Sequence, residues 1–427
     1  MMVEQSPPPA RPPGSRRQIF VWTLFDFANT SFSVLVLTVA YPTYFSTIVA
    51  AGRRDADFLW ALGFSISMFI TAIISPVLGA IADRSGWKKR FLLLFTCLCV
   101  GATALMYFVG SGSIVYGMVL LVLANIGFEA GIVFYDAFLL EITSERSYGR
   151  VSGYGFAMGY LGSFATLLLA YPLLKGGFEV ENLVNVRSSF ALAAGFFLLF
   201  ALPLFLFLPE RKETFANGVS YVRLGIERVR STFRNVRSYQ NIARFLVSYF
   251  MYIDGVNTVI IFSSIFAVKS LGMSLPEVVV FFLVVQSTAI GGSVLFGILA
   301  DHFGKKRTLS WTLFLWIVTV FAAFFSQDRT SFYIVGLLAG IAIGSCQSTS
   351  RSLMSRIIPP EKKTEFFGFY SFFSKSSAIL GPLVFGTLSS LASQRVGVIS
   401  IGAFFLLGLL LLRRVKDEPF QSESPSS

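Results

Sequence analysis

The sequence predicts an all-α membrane protein with twelve transmembrane helices in two pseudo-symmetric six-helix bundles. Three observations carry that expectation. Of its 427 residues, 54% are hydrophobic and 14% charged, with a mean hydropathy of +0.70, too apolar for a water-soluble globule around one core. Windows of about 20 apolar residues, the length that crosses ~30 Å of hydrocarbon, can be placed twelve times. Finally, the link Gly79-Ala80-Ile81-Ala82-Asp83-Arg84-Ser85-Gly86-Trp87-Lys88-Lys89-Arg90 returns 218 positions later as Gly297-Ile298-Leu299-Ala300-Asp301-His302-Phe303-Gly304-Lys305-Lys306-Arg307. A duplicated apolar chain of this kind is what a two-halved membrane carrier requires.

Residues 1–18 are Pro-rich, carry Arg11, Arg16 and Arg17, and lack an apolar stretch or cleavage pattern. They read as a disordered cytoplasmic tail rather than a signal peptide. The N-terminal bundle, 19–208, holds spans near Ile19 to Val49, Phe58 to Ile81, Phe91 to Val109, Ile114 to Leu140, Val151 to Leu174 and Ser189 to Leu208. Residues 209–241 form the link between the halves. Within it, apolar residues at Phe215, Val219, Val222, Ile226, Val229, Phe233 and Val236 recur in steps of four and three, with Arg223, Arg228, Arg230, Arg234 and Arg237 largely off that stripe. This is an amphipathic helix lying on the cytoplasmic leaflet, with a calmodulin-type target helix as the alternative.

The C-terminal bundle, 242–412, holds spans near Ile242 to Val268, Glu277 to Leu299, Thr308 to Phe325, Phe332 to Leu353, Glu365 to Leu391 and Val396 to Leu412. Residues 413–427 read as a second cytoplasmic tail. With the amino terminus inside, 27 of the 35 Lys and Arg fall in the tails and even-numbered links, the positive-inside pattern, and both termini are placed in the cytoplasm. The net charge of +12 is thus a topology signal. Dispersed over short loops without stacking aromatics, it gives no reason to expect nucleic acid. Cys97, Cys99 and Cys346 sit in apolar spans, and two residues apart on a helix the first pair diverge, so neither a disulfide nor a metal site is expected.

Two further echoes extend the repeat. Asp26-Phe27-Ala28-Asn29-Thr30 in the first span matches Asp254-Gly255-Val256-Asn257-Thr258 in the seventh, and Glu145 and Glu361 follow similar helix ends, leading into Gly153 and Gly368. Intramembrane charge costs on the order of 2.5 to 3.5 kcal/mol per side chain on insertion scales, so Asp26, Glu129, Asp136, Asp254 and Lys375 are candidate functional groups. Asn125, Glu129 and Asp136 fall within about 40° of one another at 100° per residue, and Asp26, Asn29, Thr30 and Ser33 share a face. These faces are expected to turn inward to a central cavity. One or more carboxylates would bind a proton or cation. Lys375 is taken as the only positive charge at mid-depth, either receiving a substrate carboxylate or pairing permanently with Asp254 or Asp26. Asp136 either lines the pathway, is solvated, or pairs with Arg150.

In the link motif, Gly79 and Gly297 allow close helix approach, and Asp83 and Asp301 can accept hydrogen bonds from a helix amino terminus in the other half, with Arg84 joining them. Gly86 and Gly304 are the motif's second glycines. Lys88, Lys89, Arg90, Lys305, Lys306 and Arg307 are read as obeying the positive-inside rule. Gly155 and Gly159 are read as close helix packing. His302, the sole histidine, lies in a link, outside any proton relay through the membrane.

The link motif and its copy resemble the signature of the major facilitator superfamily of secondary transporters over nearly the whole chain. More narrowly, Trp22-Thr23-Leu24-Phe25-Asp26-Phe27-Ala28-Asn29, Tyr135-Asp136-Ala137-Phe138-Leu139-Leu140-Glu141-Ile142, Gly149-Arg150-Val151-Ser152-Gly153-Tyr154-Gly155 and Gly159-Tyr160-Leu161-Gly162 resemble the family of the autophagy-related vacuolar amino-acid effluxer and its bacterial relatives. Phe25, Phe27 and Leu140 depart from that family's usual Tyr, Trp and Pro. The resemblance implies a latch at the link motif, made of Gly79, Asp83, Arg84, Gly86, Lys88, Gly297, Asp301, Gly304 and Lys305, that shuts the cytoplasmic side while the site faces outward. It also implies a monomeric carrier, without cofactor, that rocks its halves around a central site and exports a small polar solute, a neutral amino acid being favoured, with proton coupling. Carriers of sugars, drugs or lipids, and a non-transporting sensor on the same fold, are the alternatives. No nucleophile–base set, phosphate-cradling loop or metal-ligand cluster points to an enzyme. Short loops point to a bacterial inner membrane.

Overall fold

The computed structural model describes residues 15–51, 53, 55–209, 221–234, 236–273, 275–377 and 394–420. All of its long elements are helices. Residues 1–14 of the expected first tail, 210–220 of the link and 421–427 of the second tail lie outside the described residues.

Helix α1 (Arg16–Phe32) begins where Ser15 accepts the amide of Gln18 and the Gln18 side chain returns a bond to Ser15, a reciprocal cap. It continues as a π-helical stretch through Val39. Then come α2 (Ala56–Ser85), α3 (Lys88–Leu105), α4 (Ile114–Ala137), α5 (Tyr148–Leu174) and α6 (Leu183–Phe207). The linking helix α7 (Tyr221–Arg234) precedes α8 (Gln240–Leu271), α9 (Leu275–Phe303), α10 (Lys305–Phe325), α11 (Arg329–Ile357), α12 (Lys363–Ser377) and α13 (Gln394–Leu412). Nine helices among the described residues are long and apolar enough to cross a bilayer. The eleventh expected span runs from α12 into 378–393, outside the described residues.

Buried apolar side chains gather mainly in two clusters. One runs from Trp22 to Leu208; the other runs from Ile242 to Val415 and takes in Val133 and Ala137 of α4. The chain therefore folds around two cores, one on either side of the linking helix, and α4 reaches across to the second. The described segments near Arg17 and Phe420, the linking helix and the two repeated links lie at one end of this assembly, called here the linker face. Arg413 to Phe420, read from sequence as part of a free tail, are held there: Asn241 exchanges bonds with Lys416, Asp417 accepts the amide of Lys306, and Phe420 stacks on Tyr239.

Candidate functional site

At the linker face the repeated motif builds two matching contacts. The Asp83 carboxylate, near the end of α2, accepts the amides of Thr364 and Glu365 at 3.1 and 2.9 Å, at the start of α12. The Asp301 carboxylate, near the end of α9, accepts the amides of Gly149 and Arg150 at 2.8 and 2.9 Å, at the start of α5. Each acid sits on the amino-terminal dipole of a helix in the other half, where unsatisfied N–H groups favour an anion. Gly79 and Gly297 make the approach sterically feasible. A Cβ at either would collide with a backbone carbonyl across the contact, that of Thr364 or of Gly149. Gly86 and Gly304 end their helices at φ +66° and +93°, a conformation that costs glycine least.

The basic residues of the motif divide. Arg84 stays exposed at the rim. Lys88 and Lys305, counted with the latch residues although a topology rule is the favoured reading of each, are buried. Lys88 Nζ donates to Glu141 Oε1 at 2.5 Å, and Lys363 of the other half pairs with the same carboxylate. Lys305 lies 3.6 Å from Asp301 and donates to the Glu145 carbonyl at 3.1 Å, again across the halves. An ammonium withdrawn from water in this way needs such partners to offset its desolvation.

Away from the linker face, α4 carries two of the interior acids, Glu129 and Asp136. Glu129 Oε2 meets Lys375 Nζ of α12 at 2.7 Å. The partner of Lys375 is therefore Glu129, not Asp26 or Asp254. Lys375 is also not the only cation in the interior. Arg351 of α11, counted from sequence among the link cations, is 2% exposed. Its Nη1 lies 3.0 Å from Asp136 Oδ1 and 3.5 Å from Asp26 Oδ2, while Nε and Nη2 donate to the hydroxyl and carbonyl oxygens of Ser152 at 2.9 and 2.8 Å. Asp136 accordingly takes Arg351 as its partner, and Arg150 lies on Asp301 instead.

Asp26 is fixed by three further groups. It accepts the Tyr135 hydroxyl at 2.7 Å and the Asn29 amide at 3.4 Å, and Thr30 donates to the carbonyl of Asp26 and, at 2.9 Å, to that of Gly159. Trp22 stacks on Tyr135 at 4.6 Å and donates its indole N–H to the Tyr135 carbonyl. Asn125 faces elsewhere, bonding Ser67 of α2 inside its own half at 2.7 Å. In the second half Asp254 is fully buried, Thr258 donates to its carbonyl at 2.8 Å, and Asn257 is half-buried. Tyr160 of α5 donates to Gln347 of α11 at 3.2 Å, adding a neutral contact between the halves.

Sequence reasoning missed Arg351, Ser152, Tyr135, Glu141 and Gln347 as site residues. The signal was the polar run Gln347-Ser348-Thr349-Ser350-Arg351-Ser352 inside an apolar span, which lipid would not tolerate on its own face. Chemically, the interior holds the carboxylates of Asp26, Glu129 and Asp136 against the cations of Arg351 and Lys375. Each ion cluster draws one sign from each half.

A family model described as "Vacuole effluxer Atg22 like" matches residues 49–421. An uncharacterized MFS-type transporter, YxiO of Bacillus subtilis strain 168, is 32% identical over 93% of this chain and 94% of its own length. Autophagy-related protein 22 of Yarrowia lipolytica is 22% identical over 76% of this chain and 69% of its own. Among solved structures, the human organic anion transporter MFSD10 superposes with a TM-score of 0.76 at 16% identity, covering 94% of this chain and 100% of its own. The proton:xylose symporter XylE gives 0.74 at 15%, covering 95% and 97%.

Proposed function

The chain belongs to the Atg22-like vacuole effluxer family of major facilitator transporters, and on that premise we propose that it moves a small polar solute by alternating access between two six-helix bundles. The coarse function, transport by an integral multi-pass membrane protein, comes with the family. The observation that carries the finer reading is the pair of buried ion clusters, Glu129 with Lys375 and Asp26 and Asp136 with Arg351, each joining one half to the other. Charges from both halves that meet in the interior must part or exchange partners when the halves rock.

A neutral amino acid suits the Glu129–Lys375 pair. Its carboxylate replaces Glu129 on the lysine while its ammonium takes Glu129, so the buried charge is unchanged. Asp26 or Glu129 is the proton-coupling group. The Asp83 and Asp301 contacts hold the linker face shut, and that face is cytoplasmic, with both termini on it and twelve crossings above it. The protein works as a monomer in a bacterial inner membrane.

Purified protein in liposomes, given labelled amino acids with and without a pH gradient, tests this. Gradient-dependent flux that falls in Asp26→Asn or Glu129→Gln is expected; wild-type rates in both variants would refute the assignment. A solute screen by thermal stabilisation separates amino acids from sugars, drugs and lipids, because bound ligand raises apparent stability by mass action.

A further inference from the structure

Arg351 is a cation supplied by one half and enclosed almost wholly by the other. Its guanidinium reaches Asp136, Asp26, the Ser152 hydroxyl and the Ser152 carbonyl. Aromatic faces cover it: Phe156 at 4.1 Å, Trp22 at 4.9 Å and Tyr135 at 5.8 Å from the central carbon. A Cβ at Gly155 would stand 2.6 Å from Nη2 and 2.7 Å from Asp26 Oδ2, so the missing side chain is what admits the group. All of these residues lie on α1, α4 and α5. The socket belongs to the N-terminal half, and only its plug is foreign.

The socket is matched to a planar guanidinium. Its acceptors take donors from all three nitrogens, as the fork of a guanidinium can present them, and the group lies over three aromatic rings. It also holds more negative charge than the plug neutralises, since two carboxylates face one cation. When the halves part and Arg351 withdraws, Asp26 and Asp136 would be left together without a counter-ion, an arrangement far too costly to persist in a membrane interior. A proton on one carboxylate or an entering cationic group must therefore offset that charge as Arg351 leaves.

We propose that the emptied socket is a solute site for a guanidino compound of the arginine or agmatine type, which takes over the acceptors that Arg351 gives up. This rests on the reading of a carrier whose halves rock, and it adds a cationic ligand class to the neutral amino acid favoured above. A primary ammonium lacks the planar faces and a proton lacks the additional donors, so both fill the socket less well.

The test uses full-length protein in detergent and follows thermal unfolding with guanidinium chloride, agmatine or sodium chloride at equal low-millimolar concentration. Arg351→Ala should lose several degrees, and guanidinium or agmatine should restore at least half of that loss while sodium does not. Adding Asp136→Asn should abolish the rescue. Should Arg351→Ala fail to fold, spin labels at Arg146→Cys and His302→Cys, exposed on opposite halves of the linker face, provide a second readout. Agmatine or L-arginine should widen their separation, and L-leucine should not. Equal thermal responses to guanidinium and sodium, or equal label separations with agmatine and L-leucine, would overturn the proposal. Flux of neutral amino acids without rescue, or without widening, sinks the socket and leaves the carrier reading standing. Rescue with no flux of any solute sinks the carrier reading and leaves a static guanidinium site.

Discussion

At the linker face the two halves mirror each other, and in the interior they do not. Asp83 and Asp301 meet the same kind of partner, two backbone amides at a helix start in the opposite half, with bond lengths between 2.8 and 3.1 Å. Asp26 and Asp254 share a five-residue frame, yet Asp26 is tied to Tyr135 and stands 3.5 Å from Arg351, whereas Asp254 is fully buried with Thr258 bonded to its carbonyl. The contrast is physical. A latch of this kind needs only a carboxylate and a helix amino terminus, which the backbone supplies wherever a helix begins. An ion cluster needs side chains from three or four helices, each free to diverge after duplication. Symmetry survives where the backbone provides half of the contact and is lost where side chains provide all of it.

The strongest challenge to this contrast is Asp136→Ala. It leaves Arg351 buried with Asp26 as its remaining carboxylate and without the 3.0 Å bond to Asp136, and stability should fall by about 2–3 kcal/mol, the cost of an unmade buried charged hydrogen bond, as read from denaturant unfolding in detergent. A loss below about 1 kcal/mol, as for an exposed pair, would mean the cluster is solvated and the interior is not special. Next, Lys375→Met should cost less than Asp136→Ala, because the Glu129–Lys375 pair is less enclosed. Adding Glu129→Gln should recover part of the loss, since a double-mutant cycle removes the orphaned charge.

Asp83→Asn and Asp301→Asn sharpen the symmetric side. Each weakens charge-assisted bonds of about 1.5–3 kcal/mol, so each should widen the Arg146–His302 label separation by a similar population shift. A tenfold disparity between the two variants would show that the repeats are not mechanically equivalent. The smallest effect separates Thr30 from Thr258. Thr30 bonds across to Gly159, while Thr258 bonds back along its own helix, so Thr30→Val should cost about 0.6 kcal/mol more, the average for an interhelical bond in a membrane.

The contacts of Asp83 and Asp301 with helix starts in the other half were legible because their chemistry is contiguous: an acid four residues after a glycine, at a helix end, in both copies. The shared face of Glu129 and Asp136 was legible too, because helical periodicity is local. Their partners were not. Lys375 and Arg351 lie more than 200 residues away on α12 and α11, and no spacing rule connects them. Arg351 was mistaken for a surface charge because it falls near the end of an apolar window, whereas α11 continues to Ile357 and carries it inside.

The sequence by itself determined the membrane habit, the duplicated link motif and its two acids, because composition, period and motif are properties of neighbouring residues. Only the tertiary structure decided which cation meets which acid. Ion pairing between halves depends on where separate helices are packed, and that placement comes from the burial of side chains along their whole length.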